Sequence, residues 1–566
     1  MLLIHRSRSS RPAVAVLAVA LLCFAAVGQL DAQAAGAEGE LLYNGIQLPA
    51  EWPPNDVTLT AEPPPPPPYL MDPPEVVPID VGRQLFVDHF LVEETTLLRV
   101  FHSPELYSGN PVLKADQAWE FGRSAGWAMP FSDGVFFDPE DELFKMWYRS
   151  DPGTFYATSR DGVHWDKPAL DVRAGTNLVH RGYRDSSTVW LDLEEKDPSR
   201  RYKFLYSSGH MKPLKLHFSS DGIHWGEPVA ESIPASDRST LFYNPFRKVW
   251  VFSLRDHDWT PGSKVDNPEY IGRLRKYWEH TDIVKGLQYQ ADDPKLWAMA
   301  DRLDVRRIDT NTRPQLYNLD AIGYESLMVG LFTIWHGQGD DREKPNDVAL
   351  GYSRDGFHWD RPVRKPFVTI SDKHGDWNYS NVQSVGGGFL VVGDRLFFYL
   401  SGRGGVPGIR APGKTYTALA TLRRDGFASM DAGATPGTLT TRPVVFEGSN
   451  LFVNVDSHQG ELRVEVLDQE GDPIEPFTKK NSLPVRIDNT LQRVSWKGAD
   501  SLASLAGKPV RFRFHLRGGS LYSFWVSPDE TGASYGFVGA GGPGFTESRD
   551  TVGSRAYQTC CIAPVW

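Results

Sequence analysis

The sequence predicts an all-β protein, built as a five-bladed β-propeller followed by a C-terminal antiparallel β-sandwich. A strand–turn–strand pattern recurs five times, and a short heptad follows several of its copies. An aromatic content of 12% with 17 Trp also suits a chain made mainly of strands. At 566 residues the chain is too long for one core, so two domains with terminal extensions are expected.

Residues 1–34 have the features of a signal peptide. The apolar run 13–27 follows several arginines and precedes Ala32-Gln33-Ala34, which matches an A-x-A cleavage site. The run is short for a membrane span, so we expect an exported protein, periplasmic or extracellular, with no membrane partner after cleavage. Residues 35–81 are predicted to be a stiff Pro-rich linker, because EPPPPPPY cannot pack as a helix or a central strand.

The repeats occupy residues 82–437. The five strand–turn–strand units begin at Phe131, Arg184, Ser236, Asn318 and Tyr379. The heptads SRDGVHW, SSDGIHW and SRDGFHW follow units one, two and four, at 159–165, 219–225 and 353–359. Asp-Gly supplies turn positions with positive φ, and the Ser and Asp side chains can bond back to turn amides. We therefore interpret the heptad as the outer hairpin of a blade, with structural Asp and His residues.

The chain changes character after the repeats. Residues 438–530 contain long alternating strands, which predict the β-sandwich, and residues 531–566 are predicted to be a Gly-rich irregular tail. After signal cleavage only Cys560 and Cys561 remain, which excludes a disulfide framework. The net charge of −11, without a basic block, argues against nucleic acid as a partner.

Carboxylates recur at equivalent positions of the units. In a propeller the first strand of each blade lines the central channel, so residues at the starts of these strands converge on one mouth. Alignment places Asp133, Asp185, Asp237, Asp320 and Asn381 there, and the first three are 52 residues apart. Several acids around one pocket repel one another, which splits their pKa values. Glycoside hydrolysis needs this arrangement, with one protonated and one ionised carboxyl group.

With these features the chain resembles the five-bladed propeller glycoside hydrolases of families 32 and 43, as a divergent branch. The resemblance covers about residues 82–530 and rests on the units, the SxDGxxW hairpins and the trailing sandwich. It implies that Asp133 is the nucleophile or base, Asp185 the transition-state stabiliser and Asp237 the general acid. The family 32 NDPNG stretch is absent, and Asp237 stands where a Glu is usual, so Glu325 and Glu120 are alternative acids.

Further residues at or near the strand starts are expected to bind substrate through hydrogen bonds or ring stacking. This predicted substrate-binding set comprises Arg123, Trp127, Arg184, Arg238, Asp320, Glu325, Trp377 and Asn381. His180 and His374 lie near the same ends, but no zinc-type spacing supports a metal role. No cofactor is expected, apart from a structural calcium ion that oxygen ligands in the channel could hold.

The leading hypothesis is an exported glycoside hydrolase that acts on a carbohydrate substrate, a furanoside or a plant or algal polysaccharide, by carboxylate acid/base chemistry. The alternative is a carbohydrate-binding propeller without catalysis. A sialidase-like protein fits less well, since the Asp-box of sialidases has an extra residue between Asp and Gly, and those enzymes need six blades and an arginine triad.

Overall fold

The structure is a computed structural model that describes residues 39–121, 126–151, 153–185, 187–257, 272–339, 342–409 and 411–558. The protein is all-β, as predicted. Helices in these ranges are single turns, and none has the length or apolar character needed to cross a membrane. The α-helical turns are α1 (Pro68–Met71), α2 (Ile283–Gly286) and α3 (Arg555–Gln558), and the 3-10 turns are Ala118–Glu120, Pro198–Arg200 and Ala503–Leu505.

Short strands precede the repeats. They are β1 (Val77–Pro78), β2 (Gln84–Leu85), β3 (Val92–Thr95), β4 (Leu98–Phe101), β5 (Glu105–Leu106) and β6 (Leu113–Lys114).

Five antiparallel sheets then follow one another along the chain. Sheet 1 comprises β7 (Val135–Asp138), β8 (Leu143–Ser150), β9 (Gly153–Ser159) and β10 (Leu178–Arg181). Sheet 2 comprises β11 (Ser187–Leu191), β12 (Tyr202–Ser207), β13 (Lys212–Ser219) and β14 (Ala230–Ala235). Sheet 3 comprises β15 (Thr240–Asn244), β16 (Val249–His257), β17 (Arg273–His280) and β18 (Lys295–Met299). Sheet 4 contains β19 (Gln315–Glu325), β20 (Leu327–Trp335) and β21 (Asn346–Ser353). Sheet 5 contains β22 (Asn381–Ser384), β23 (Leu390–Val392), β24 (Arg395–Arg403) and β25 (Thr415–Arg423).

The remaining strands follow sheet 5. They are β26 (Ala428–Ala432), β27 (Gly437–Thr441), β28 (Val444–Val445), β29 (Asn450–Asp456), β30 (Glu461–Leu467), β31 (Asp488–Arg493), β32 (Arg511–Arg517), β33 (Gly519–Ser527) and β34 (Phe537–Val538).

The five sheets adjoin one another in chain order, and the last adjoins the first. The amide of Val189 in β11 donates to the Asp133 carbonyl of sheet 1 at 3.0 Å. Strand β11 contacts β15, β15 contacts β19, β20 contacts β22, and β23 contacts β7. Sheet 5 is completed from outside its own repeat, because β5 and β6 pair with β25. This arrangement is consistent with a propeller.

The heptads form the turns that leave the third strand of sheets 1, 2 and 4. In the first, Ser159 Oγ accepts from the Gly162 amide, and Asp161 Oδ1 accepts from the next two amides, each at 2.8 Å. The other two copies repeat these bonds. Gly162 has φ of 75°, as the Asp-Gly pattern predicts.

Each heptad turn also accepts a hydrogen bond from the preceding sheet, which the repeat alone did not predict. Tyr399 of sheet 5 donates its hydroxyl to the Gly162 carbonyl at 2.6 Å. Trp147 of sheet 1 donates Nε1 to Gly222 O at 2.7 Å, and Trp297 of sheet 3 donates Nε1 to Phe357 O at 2.8 Å. The heptad therefore joins neighbouring sheets as well as closing its own turn.

A second apolar core lies outside the five sheets. It is formed by residues from two separated parts of the chain, 42–97 and 430–526. Strands β2 and β4 join a sheet with β26, β29, β31 and β33, and β3 joins one with β27, β30 and β32. Residues 84–101, predicted within the propeller region, thus pair with strands from the C-terminal part of the chain.

The Pro-rich segment packs on the body of the protein, although the sequence predicted a spacer. The amide of Arg302 donates to Ala61 O at 2.8 Å, and Tyr69 donates its hydroxyl to His358 O at 3.2 Å. Prolines 63–68 line a cavity with Trp297, Phe332 and Trp359. Apolar proline rings thus cover aromatic side chains of sheets 3 and 4.

Part of the predicted irregular tail is ordered against the sheets. Strand β34 pairs with the C-terminal end of β19, through Phe537 opposite Glu325. Ala540 O accepts from the Phe137 amide at 3.0 Å, and Gly541 O accepts from the Val391 amide at 2.9 Å. Residues 537–541 therefore bridge sheets 1, 4 and 5 at the ends of their inner strands.

Candidate functional site

The starts of the inner strands meet at one place, which we call the mouth and define by Asp133, Asp185, Asp237, Tyr317 and Asn381. It lies at the opposite end of the inner strands from residues 537–541. In antiparallel sheets the second strand ends where the first begins, so the ends of β8, β16 and β24 reach the same mouth. Both sets of strand ends supply the side chains described next.

Asp133 is buried at the base of the mouth, with no exposed surface. Arg184 Nη1 donates to its Oδ1 at 3.0 Å, Arg184 Nη2 donates to Oδ2, and the Ser187 hydroxyl donates to Oδ1. Burial raises the pKa of Asp133 to about 6, while Arg184 acts to lower it. The resemblance implied a nucleophile or base at this position, and the structure instead gives a buried ion pair.

Asp320 lies beside Asp133 inside the assembly. Its Oδ2 accepts from Ser132 Oγ at 2.5 Å and from Asn318 Nδ2 at 2.7 Å, and its Oδ1 accepts from Thr240 Oγ1 at 2.9 Å. These donors belong to sheets 1, 3 and 4, so both oxygens of Asp320 accept hydrogen bonds from the protein itself. This bonding indicates a structural role at the base of the mouth rather than contact with substrate.

Asp185 and Asp237 are the predicted carboxylates that keep some exposure. Asp237 pairs with Arg255 and lies 3.5 Å from Nδ1 of His210, and 21% of its side chain is exposed. Asp185 lies close enough to act electrostatically on Arg149, Arg255 and Tyr317. Both carboxylates can therefore reach a ligand in the mouth.

Four arginines that the sequence analysis missed surround these acids. We call Arg149, Arg255, Arg273 and Arg403 the arginine collar. Their guanidinium carbons lie over aromatic rings: Arg149 over Trp127 at 4.3 Å, Arg403 over the same ring at 5.9 Å, and Arg255 and Arg273 over Tyr317 at 5.9 and 5.6 Å. Three of them could have been identified from the sequence. Arg149 in MWYRS, Arg255 in FSLRD and Arg403 in LSGRG each lie near the end of the second strand of a repeat.

Tyr317 occupies the centre of this arrangement. Arg238 also lies over its ring, at 6.0 Å, and the Tyr317 side chain is almost fully buried. Burial acts to raise the pKa of Tyr317, but Lys344 and Arg238 lower it below its usual value. A tyrosine among cations gives up its proton more readily than an isolated one.

The other predicted binding residues reach the mouth to different degrees. Trp127 stacks against Arg149 of the arginine collar. Asn381 is buried and pairs with Arg403 in the register of sheet 5, and its Oδ1 has no hydrogen-bond partner among the described residues. Trp377 covers Gly402 of β24 from the side. Arg123 lies outside the described residues.

Glu325 was predicted at the mouth and is not there. It ends β19, whose eleven residues carry it to the opposite end of the sheet. There it is fully buried, 3.0 Å from Arg424 Nη2 and 3.4 Å from Arg83 Nε, near Asp425. Burial raises its pKa above the usual range. Glu325 therefore belongs to an ion-pair network that joins sheet 4 to the second core.

Glu120 also has a structural role, because protein donors occupy its carboxylate. Its oxygens accept from Lys167 Nζ at 2.8 and 2.7 Å and from the Tyr148 hydroxyl at 2.6 Å. His180 packs against Phe204, Tyr206 and His217, and burial lowers its pKa to about 4. The exposed His374 accepts from or donates to the Tyr379 hydroxyl at 2.7 Å.

Metal ligation finds no support in the described ranges, where no three His, Cys, Asp or Glu side chains are grouped to hold an ion. The calcium ion stays a prediction.

Comparisons with known proteins give fold likeness only. No protein-family model and no curated protein matches this chain. Among solved structures, an N-acetylgalactosamine deacetylase from F. plautii is 14% identical over 58% of this chain and 97% of its own, with a TM-score of 0.40. The fructofuranosidase of Schwanniomyces occidentalis is 12% identical over 75% of this chain and 98% of its own, with a TM-score of 0.34.

An exo-β-1,3-galactanase from Phanerochaete chrysosporium is 11% identical over 75% of this chain and 99% of its own, with a TM-score of 0.31. Identities and TM-scores this low leave the activity of this chain to be inferred from its own residues.

Proposed function

We propose that the protein is a glycoside hydrolase whose active site is the mouth, in a five-bladed propeller completed by a C-terminal β-sandwich. The observation that carries this proposal is the pair of partly exposed carboxylates, Asp185 and Asp237, beside aromatic rings at one mouth. Two carboxylates near one bond are what acid/base hydrolysis of a glycoside requires. Rings such as Trp127 and the exposed Tyr183 offer surfaces on which a sugar can stack.

The contacts suggest a division of roles. Asp133 uses both oxygens on Arg184 and Ser187, so we assign it the positioning of Arg184 rather than contact with the sugar. Asp237 forms an ion pair with Arg255, and a carboxylate held beside a guanidinium group suits the role of base or nucleophile. Asp185 and Tyr317 are then the candidates for proton transfer to the leaving oxygen. This replaces the assignment of Asp133 as nucleophile and of Asp237 as acid.

The test is sugar release from aryl furanosides, fructans, arabinans and algal polysaccharides by the protein from Ala35. We expect Asp185→Asn and Asp237→Asn each to lower kcat by about 100- to 10,000-fold. Azide should restore turnover to a nucleophile variant, and an acid variant should retain activity on substrates with good leaving groups. Asp292→Asn, at an exposed site away from the mouth, is the matched control. Full activity in a folded Asp237→Asn variant would contradict the assignment.

A carbohydrate-binding propeller without catalysis is the second candidate. It is favoured by the burial of Asp133, which removes one of the three predicted carboxylates from the reach of a ligand. Binding of a glycan that is never cleaved, unchanged in Asp185→Asn, would support this candidate. Furanoside preference and export are likewise proposals, resting on the sequence features given above.

A further inference from the structure

The mouth carries more positive than negative charge among the described residues. Among the described residues, Arg184 pairs with Asp133, Arg255 with Asp237, and Arg403 with Glu343 at 2.9 Å. The cations Arg149, Arg238, Arg273, Arg275 and Lys344 lie in the same region, together with the carboxylates Asp185, Asp256 and Asp320.

Arg149 shows the imbalance most clearly. Its guanidinium contacts Trp127, Tyr183 and Phe131, and in the part of the chain that the structure describes no carboxylate forms a salt bridge with it. A guanidinium stacked on a ring keeps its N–H edge free to donate to a planar or tetrahedral oxyanion. Tyr183 above it is 64% exposed, so the stack lies at the entrance of the mouth.

Crowding among these cations is costly in the free protein. Burial, with repulsion from Arg184, lowers the pKa of Arg149 to about 10. Burial also lowers the pKa of Arg275 to about 9, and Arg238 adds to the effect. An anion bound between the guanidinium groups would relieve this repulsion, whereas the hydroxyl groups of a neutral sugar would not.

We propose that the mouth selects a glycan bearing an anionic substituent, a carboxylate or a sulfate ester, which the arginine collar binds. The inference rests on the proposed function, because it names the substrate class of the same site. Arg149 and Arg273 contact the oxyanion, while the adjoining sugar ring reaches Asp185 and Asp237.

The test measures binding by calorimetry, separately from hydrolysis. The probes are a tetragalacturonate for the carboxylate, a κ-carrageenan tetrasaccharide for the sulfate ester, the desulfated tetrasaccharide as the neutral counterpart, and inorganic sulfate and phosphate. We expect one anionic oligosaccharide to bind at least about tenfold more tightly than the neutral one, with affinity falling as NaCl is raised. If the tetragalacturonate binds, the bound oxyanion is a carboxylate, and if the κ-carrageenan tetrasaccharide binds, it is a sulfate ester.

Variants connect the preference to the collar. Arg149→Gln should weaken binding of the anionic probe by about 10- to 100-fold, the value of a charge-assisted hydrogen bond, and weaken binding of the neutral probe much less. Arg149→Lys, which keeps the charge, should recover part of the affinity. The control is Arg200→Gln, a guanidinium stacked on Phe218 at 4.6 Å near the β11–β12 turn, at the other end of sheet 2.

The outcomes separate this inference from the proposed function. Equal binding of neutral and anionic oligosaccharides, binding of inorganic anions alone, or no binding of any probe would overturn the inference. A preference that survives Arg149→Gln and Arg273→Gln would overturn it too. Selective binding of an anionic oligosaccharide without cleavage would leave the inference standing and would count against hydrolysis. Cleavage of neutral glycans, with no preference for anionic ones, would support hydrolysis and overturn the inference.

Discussion

Replacing Tyr399 by Phe tests whether the heptad turns fasten one sheet to the next. The substitution removes one hydroxyl that donates to Gly162 O at 2.6 Å, and it keeps the ring, which meets Trp165 edge-on at 5.4 Å. Tyr399 is 1% exposed, so water cannot replace the lost donor. A buried acceptor left without a partner costs about 1–3 kcal/mol, and we expect the free energy of unfolding to fall by this amount.

The assay is equilibrium urea unfolding followed by tryptophan fluorescence. Tyr416→Phe is the matched control, because Tyr416 lies in the adjacent strand β25 and its hydroxyl makes no hydrogen bond among the described residues. If Tyr399→Phe loses no more stability than Tyr416→Phe, the hydroxyl does not contribute to the junction of sheets 1 and 5, and the reasoning is wrong.

Two further predictions concern buried or partly buried aspartates. Asp161→Ala removes the acceptor of two turn amides and should lower the Tm without changing kcat, so a stable but inactive variant would contradict the structural role of the heptad. The pKa of Asp133 is raised from 3.8 to about 6, so folding favours its protonated form. Its contribution to stability is present below pH 3.8 and is lost as pH rises through 6, by about 3 kcal/mol. Urea titrations should therefore show the stability of wild type relative to Asp133→Asn declining between pH 3.5 and 7, and a constant difference would refute this.

Local chemistry made the heptad turns predictable. The bonds of Ser159 and Asp161 involve amides within three residues, and the positive φ of Gly162 follows from its place in the turn. The junctions from Tyr399 and Trp147 join different sheets, and no local pattern encodes them.

The positions of the predicted site residues depend on where the inner strands begin and on how long those strands are. Asp133, Asp185 and Asp237 come together because each precedes an inner strand. Glu325 lies ten residues beyond Gln315 on one strand, about 33 Å at the usual rise per residue, so it could not share the mouth. The burial of Asp133 depends on how Arg184 folds back onto it, which the spacing of 52 residues does not reveal.

The pairing of β5 with β25 sets the order in which the chain can finish folding. Leu106 pairs with Ala420, so a strand made early in synthesis finds its partner only after more than 300 further residues have emerged from the ribosome. Strand β3 pairs with β27 and β4 pairs with β26, and these partners are synthesised later still. Until then sheet 5 lacks its outermost strand, and unpaired strand edges are the usual starting points of aggregation. Completion of the fold is therefore a late event, and a nascent chain that stops short of β25 has an open edge to protect.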